Sequence, residues 1–148
     1  MIYTEKTKRA IKLCFKAHAG QFDKSGIPYA HHPLHLADQM EDEDSTIVAL
    51  LHDVVEDTNY SLKDIKGMGF GDNVIEALEL LTHNPETPYM EYIRAISANT
   101  LARKVKLVDL EHNSDASRLN HTPTEADLQR IDKYEQAMVF LKSINSGV

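Results

Sequence analysis

The sequence has no tryptophan, a single cysteine and only six glycines in 148 residues. A lone cysteine, Cys14, cannot close an internal disulfide, so a disulfide scaffold is excluded and a reducing cytoplasm fits the composition. The longest purely aliphatic run, residues 47–51, is far too short to span a membrane. The opening residues, from Met1 to Lys6, have no signal-peptide character. Positive charge is also scarce. Sixteen Lys and Arg against 23 Asp and Glu leave a formal net charge of −7, which argues against sequence-independent binding to nucleic acid. A small anionic substrate remains compatible, because local charge and a metal can override the net value. Hydrophobic residues at 42% and charged residues at 26% place the chain among ordinary globular proteins, and its length suits one domain over residues 1–148. The unusual count is eight histidines.

Apolar spacing predicts helices throughout, and no stretch alternates as a strand does. Residues 4–19 carry Ala10, Leu13, Cys14 and Ala17 on one stripe, with Gly20 as the stop. Residues 21–31 read as a loop marked by Asp23, Gly26 and Pro28. Pro33 suits the first turn of a second helix to about residue 41, and Asp44 or Ser45 caps a third to about residue 56. Ser61 caps a short fourth helix, stopped by Gly67 and Gly69. Residues 72–82, 89–98 and 100–117 follow. Thr122 opens the last helix, with Pro123 at its first position and its end near Gly147. The expected fold class is all-α, a bundle of about seven helices.

The chemistry concentrates in residues 50–57, Leu-Leu-His-Asp-Val-Val-Glu-Asp. At about 100° per residue, with Leu50 at zero, Leu50, Val54, Leu51 and Val55 fall between roughly 0° and 140°, and His52, Glu56, Asp53 and Asp57 between roughly 200° and 340°. One half is apolar; the other holds an imidazole and three carboxylates and no Lys or Arg. Such carboxylates repel, and a cation between them lowers the cost most. Imidazole nitrogen and carboxylate oxygen suit a divalent transition ion. The alternative is an ordinary acidic surface face.

Two other segments bear on this choice. His31 and His32 precede Pro33 at a loop-to-helix junction, where a histidine can be a ligand, a cap or a buried hydrogen-bonder. Asp109 interrupts an apolar helical stretch, with Asn113 one turn on. A buried aspartate needs a partner, either a nearby lysine or a metal.

These residues, in this order, resemble the HD-domain metal-dependent phosphohydrolases. More narrowly they resemble the hydrolase domain of the RelA/SpoT alarmone enzymes and the small stand-alone alarmone hydrolases. The matching pieces run from residues 17–22 through Lys24-Ser-Gly26, Pro28-Tyr29, His32-Pro-Leu34, residues 49–58, Leu81-Thr82 and Val105-Lys-Leu107 to Asp109 and Asn113. The resemblance implies an all-α fold and a divalent metal, usually manganese, held by His32, His52, Asp53 and Asp109. It implies that Glu56 and Asp57 orient and activate the attacking water. Asn113 matches a residue lining the nucleotide site, and Arg130 and Tyr134 match an Arg-x-x-x-Tyr pair that faces substrate phosphates. Without the resemblance, these last two read equally as a surface helix with an amphipathic tyrosine.

Two positions depart from the family pattern. Asp23 stands where the family has an arginine, which would stack on a base or approach phosphate; Lys24 beside it is retained for substrate binding. Leu110 stands where an arginine follows the later aspartate. The implied activity is removal of the 3′-diphosphate from guanosine 3′,5′-bis(diphosphate). The alternatives are another nucleotide or a nicotinamide-type phosphate as substrate, or a non-catalytic nucleotide-binding module. Restoring arginine at position 23 is expected from sequence alone to raise activity on the guanosine compound. Residues 67–71 lack the lysine and spacing of a P-loop, and no synthetase region follows, so alarmone synthesis is not expected. The expected partner is a small nucleotide, with no nucleic acid and no membrane. No motif specifies a homo-oligomer, although exposed aromatic residues could support one.

Overall fold

Residues 45–51, Ser-Thr-Ile-Val-Ala-Leu-Leu, are buried without exception. A helix apolar on every side belongs in a core rather than on a surface. This helix, α3 (Glu43–Leu51), packs against α1 (Glu5–Ala17), α2 (His31–Asp38), α6 (Asp72–Leu81) and α8 (Thr100–Asn113) in the computed structural model, which describes residues 1–144. The remaining helices are α4 (Val54–Asp57), α5 (Leu62–Gly67), α7 (Tyr89–Ser97) and α9 (Glu125–Ser143), with a 3-10 turn at Ala116–Arg118. The all-α expectation is met: the described residues hold no strand beyond an isolated bridge between Phe22 and Pro28. No described helix is long and apolar enough to cross a membrane.

Among the described residues nine α-helices stand where about seven were expected, in part because the expected third helix is two. His52 causes the break. Its Nδ1 donates to the Ala49 carbonyl at 2.7 Å, the acceptor that a continuing helix would offer to the Asp53 N–H. Asp53 then sits at φ −104°, ψ 0°, and one further turn, α4, carries Glu56 and Asp57.

Other boundaries move for similar reasons. The cap of α3 is Asp42 rather than Asp44 or Ser45; its carboxylate accepts from the Ser45 N–H at 2.8 Å, while the Thr46 hydroxyl donates to its carbonyl at 2.7 Å. α8 ends at Asn113, four residues before the expected Ser117, where Ser114 caps it and Asp115 opens the 3-10 turn. α9 starts from a capping box between Thr124 and Asp127, so Pro123 precedes the cap instead of occupying the first turn. The expected end near Gly147 lies outside the described residues.

The core joins Leu36, Ile47, Leu50, Leu51, Leu78 and Ile93, all fully buried. Leu78→Ala, on α6 facing α3, is expected to destabilise by about 2–5 kcal/mol, read from urea unfolding. Val139, 70% exposed, gives the control: Val139→Ala is expected to stay within about 0.5 kcal/mol of the parent.

Candidate metal centre and the cavities beside it

Three elements deliver four donors to one point. His32 comes from the first turn of α2, His52 and Asp53 from the break after α3, and Asp109 from the last turns of α8. One ligand atom from each lies within 4.8 Å of all the others. His32 Nε2 is 2.8 Å from Asp109 Oδ1 and 4.0 Å from Asp53 Oδ2. His52 Nε2 is 2.9 Å from Asp53 Oδ2 and 3.3 Å from Asp109 Oδ1.

The proton positions decide what this cluster is for. His52 Nδ1 faces a carbonyl, which can only accept, so Nδ1 carries the ring proton and neutral Nε2 presents a lone pair. That lone pair is buried, without a hydrogen-bond partner, and pointed among carboxylate oxygens. Acceptors facing acceptors in the interior require a proton or a metal ion between them. Burial alone would lower the His52 pKa, yet the charges and oxygens of Asp53 and Asp109 raise it well above its ordinary value. Two imidazole nitrogens and two carboxylate oxygens fit a divalent cation.

Further contacts hold the donors in place. Tyr29 donates its hydroxyl to Asp53 Oδ2. His32 Nδ1 lies 2.7 Å from His112 Nδ1. Burial, then Arg118, pushes His112 down to about 3, and the bond between the two Nδ1 atoms fixes the orientation of the His32 ring so that Nε2 faces the cluster. Lys106 Nζ binds Asp109 Oδ2 at 2.9 Å and Asn113 Nδ2 donates to Oδ1 at 3.0 Å. Burial would raise the Asp109 pKa, but Lys106, His32 and His52 hold it well below the usual carboxylate range. Asp109 thus binds Lys106 through one oxygen and turns the other toward His32 and His52.

Glu56 and Asp57 lie one turn beyond, exposed to solvent. Glu56 Oε1 accepts from the His83 N–H at 3.0 Å, and Gln21 donates to the Asp57 carbonyl at 2.9 Å. Partial burial and the Asp53 charge raise both carboxyl pKa values. Proton-accepting strength rises with them.

A cavity of about 370 Å³ opens beside His32 and is lined by all four predicted substrate-binding residues, Lys24, Asn113, Arg130 and Tyr134. Arg130 is oriented by Asp127 at 2.6 Å. A second cavity of about 240 Å³ borders Asp109 and Glu56, and Asn113 and Tyr134 line both spaces. Asp23, the departure noted in the sequence, faces Arg118 across the larger cavity at 3.8 Å. Arg118 also donates to the His112 carbonyl at 2.8 Å and to Asn113 Oδ1 at 3.3 Å.

Sequence reasoning gave no role to Tyr29, His112 or Arg118, and Lys106 entered only among the lysines near Asp109. His112 carried a local signal, because it follows Asp109 by one helical turn. Arg118 carried none, since residues 114–117 read as helix rather than as a turn folding back on the site.

The HD domain family matches residues 10–109. The guanosine-3′,5′-bis(diphosphate) 3′-pyrophosphohydrolase MESH1 of Xenopus tropicalis is 35% identical over 126 residues, 77% of this chain and 69% of its own length. A GTP pyrophosphokinase of Streptomyces coelicolor is 32% identical over 124 residues; the shared region is 75% of this chain but 14% of that protein. A 3′-pyrophosphohydrolase of Aquifex aeolicus is likewise matched over 17% of its length, so the chain spans a small part of these larger relatives. The solved structure of a metazoan ortholog of SpoT, described as hydrolysing ppGpp, aligns over 99% of this chain and 90% of its own with a TM-score of 0.79 at 23% identity, which establishes the shared fold. By fold, by matched span and by relatives, the chain belongs to the HD domain family.

Proposed function

We propose that this protein is a metal-dependent phosphohydrolase that removes the 3′-diphosphate from guanosine 3′,5′-bis(diphosphate), acting as one unit across residues 1–148 in the cytoplasm. The observation that carries the reading is the bare, buried Nε2 of His52 among carboxylate oxygens, a vacancy in hydrogen bonding that a divalent ion satisfies. The name of the Xenopus relative supports the substrate.

His32, His52, Asp53 and Asp109 hold the ion, for which manganese is the proposed identity. Such an ion acidifies water and polarises a phosphoryl oxygen. Glu56 and Asp57 orient the attacking water, and their raised pKa values suit them to take its proton. Lys24, Asn113, Arg130 and Tyr134 bind the nucleotide in the larger cavity, between the loop before α2 and the start of α9. A second reading keeps the metal chemistry and changes the nucleotide to one of another base or to a nicotinamide-type phosphate. The Asp23–Arg118 pair favours it, because a carboxylate occupies the wall where the resemblance expects an arginine.

Purified protein with manganese is expected to release pyrophosphate from guanosine tetraphosphate, with loss on chelation. Turnover of another nucleotide or of NADPH instead establishes the second reading, and no turnover of any of them overturns both.

Asp53→Ala is expected to lose metal and activity together. Glu56→Ala is expected to keep the metal and slow turnover by about 10²–10⁴-fold. Metal analysis by mass spectrometry separates the two roles, and loss of metal from Glu56→Ala rejects the division.

The contacts of Asp23 argue for the opposite outcome at position 23. Asp23 Oδ1 accepts from the Ser25 and Ile27 N–H groups at 2.8 and 3.0 Å, and its charge faces Arg118. Asp23→Arg removes both turn contacts and sets two guanidinium groups together, so kcat/KM on guanosine tetraphosphate is expected to fall rather than rise.

A further inference from the structure

The smaller cavity holds an uneven balance of donors. Tyr92 gives its hydroxyl to the Leu81 carbonyl at 2.8 Å, and His83 Nε2 faces the Thr87 carbonyl at 2.8 Å. Lys106 and Asn113 both serve Asp109. Two donors remain. The Tyr89 hydroxyl is buried without a hydrogen-bond partner among the described residues. Lys133 Nζ has no carboxylate partner among them either, and sits 4.5 Å from the Tyr89 ring centroid and 5.6 Å from that of Tyr134. Two aromatic faces thus fix an ammonium group by cation–π attraction without neutralising it.

Their position gives these donors a use. Glu56 and Asp109 line the same cavity, so it borders both the proposed base and the metal cluster, while Asn113 and Tyr134 connect it to the larger cavity. A ligand whose nucleoside lies in the larger space projects its reacting end into this one. An uncompensated ammonium and a free hydroxyl suit an acceptor-rich anion, and a volume of about 240 Å³ admits a diphosphate.

We infer that Lys133 and Tyr89 form an anion subsite that grips the diphosphate at the reacting end of the substrate. The inference rests on the phosphohydrolase reading for the identity of that ligand, and deepens it by naming residues that select a diphosphate. The probe is inorganic pyrophosphate, titrated by calorimetry into manganese-loaded protein freed of excess metal. Lys133→Gln is expected to weaken binding about tenfold or more, the loss of one charge-assisted contact. Lys133→Arg is expected to retain most of it, and Tyr89→Phe to weaken it about threefold with an unchanged melting temperature. Lys104→Gln, at an exposed pair with Asp42, is the control and should bind as the parent does.

Binding by Lys133→Gln within twofold of the parent overturns the subsite, as does absence of pyrophosphate binding by the parent. The two readings fail separately. Pyrophosphate binding that depends on Lys133 in a protein that turns over no nucleotide supports the subsite and rejects the activity. Nucleotide turnover unaffected by Lys133→Gln, with unchanged pyrophosphate binding, rejects the subsite and keeps the activity.

Discussion

Four acceptor atoms, two imidazole lone pairs and two carboxylate oxygens, converge within 4.8 Å in the interior. Left alone, such a cluster costs free energy through desolvation and like-charge repulsion, so it forms only where the surrounding fold enforces it. The enforcement is visible in α3. That helix is buried on every side and touched by four others, so the residue at its C-terminal end has little freedom to move. The break at His52 uses this rigidity: one ring nitrogen ends the helix on Ala49, and the other is aimed into the cluster as a result. A single hydrogen bond thereby sets the helix boundary, the tautomer and the ligand direction together.

What was legible in the sequence follows the range of each interaction. Helix periodicity depends on neighbours three and four residues apart, so α1, α6 and α7 lie close to where their apolar stripes put them. The four clustered residues were legible because their types and order are a recognisable pattern. The break after Leu51 was not, because periodicity treats a side chain as a position on a wheel and not as a competitor for a backbone carbonyl. The supporting contacts were less legible still. Tyr29 meets Asp53 across 24 residues and His112 meets His32 across 80, separations at which local pattern carries no information. For Asp109 the sequence posed a lysine or a metal as partner; the fold puts Lys106 on one oxygen and leaves the other facing His32 and His52.

Net charge gives a poor guide to what the site can attract. The chain carries −7 overall, yet Lys24, Arg118 and Arg130 gather around the larger cavity and Lys106 and Lys133 around the smaller one. An acidic protein with cations concentrated at a concave site directs an anion to that site and offers little to a long polyanion elsewhere. Several of these cations are already paired. Arg130 is held by Asp127 and Lys106 by Asp109, so they contribute position and hydrogen-bonding direction more than free charge.

Arg118 connects the two ends of the site, and that connection gives Asp23 its significance. The guanidinium faces Asp23 on one wall of the larger cavity and donates to the His112 carbonyl and to Asn113 Oδ1 on the other. His112 holds the His32 ring through an Nδ1–Nδ1 hydrogen bond, and Asn113 donates to Asp109, so Arg118 abuts the supports of two of the four clustered donors. An arginine at position 23 would present its charge from a loop with no such links. With Asp23 there instead, the cavity's cation comes from the 3-10 turn after α8, on the same side of the chain as Asp109. The exchange therefore does more than reverse a sign: it moves the positive charge onto the turn that follows the helix carrying Asp109, where Arg118 reaches both the larger cavity and the side chain of Asn113.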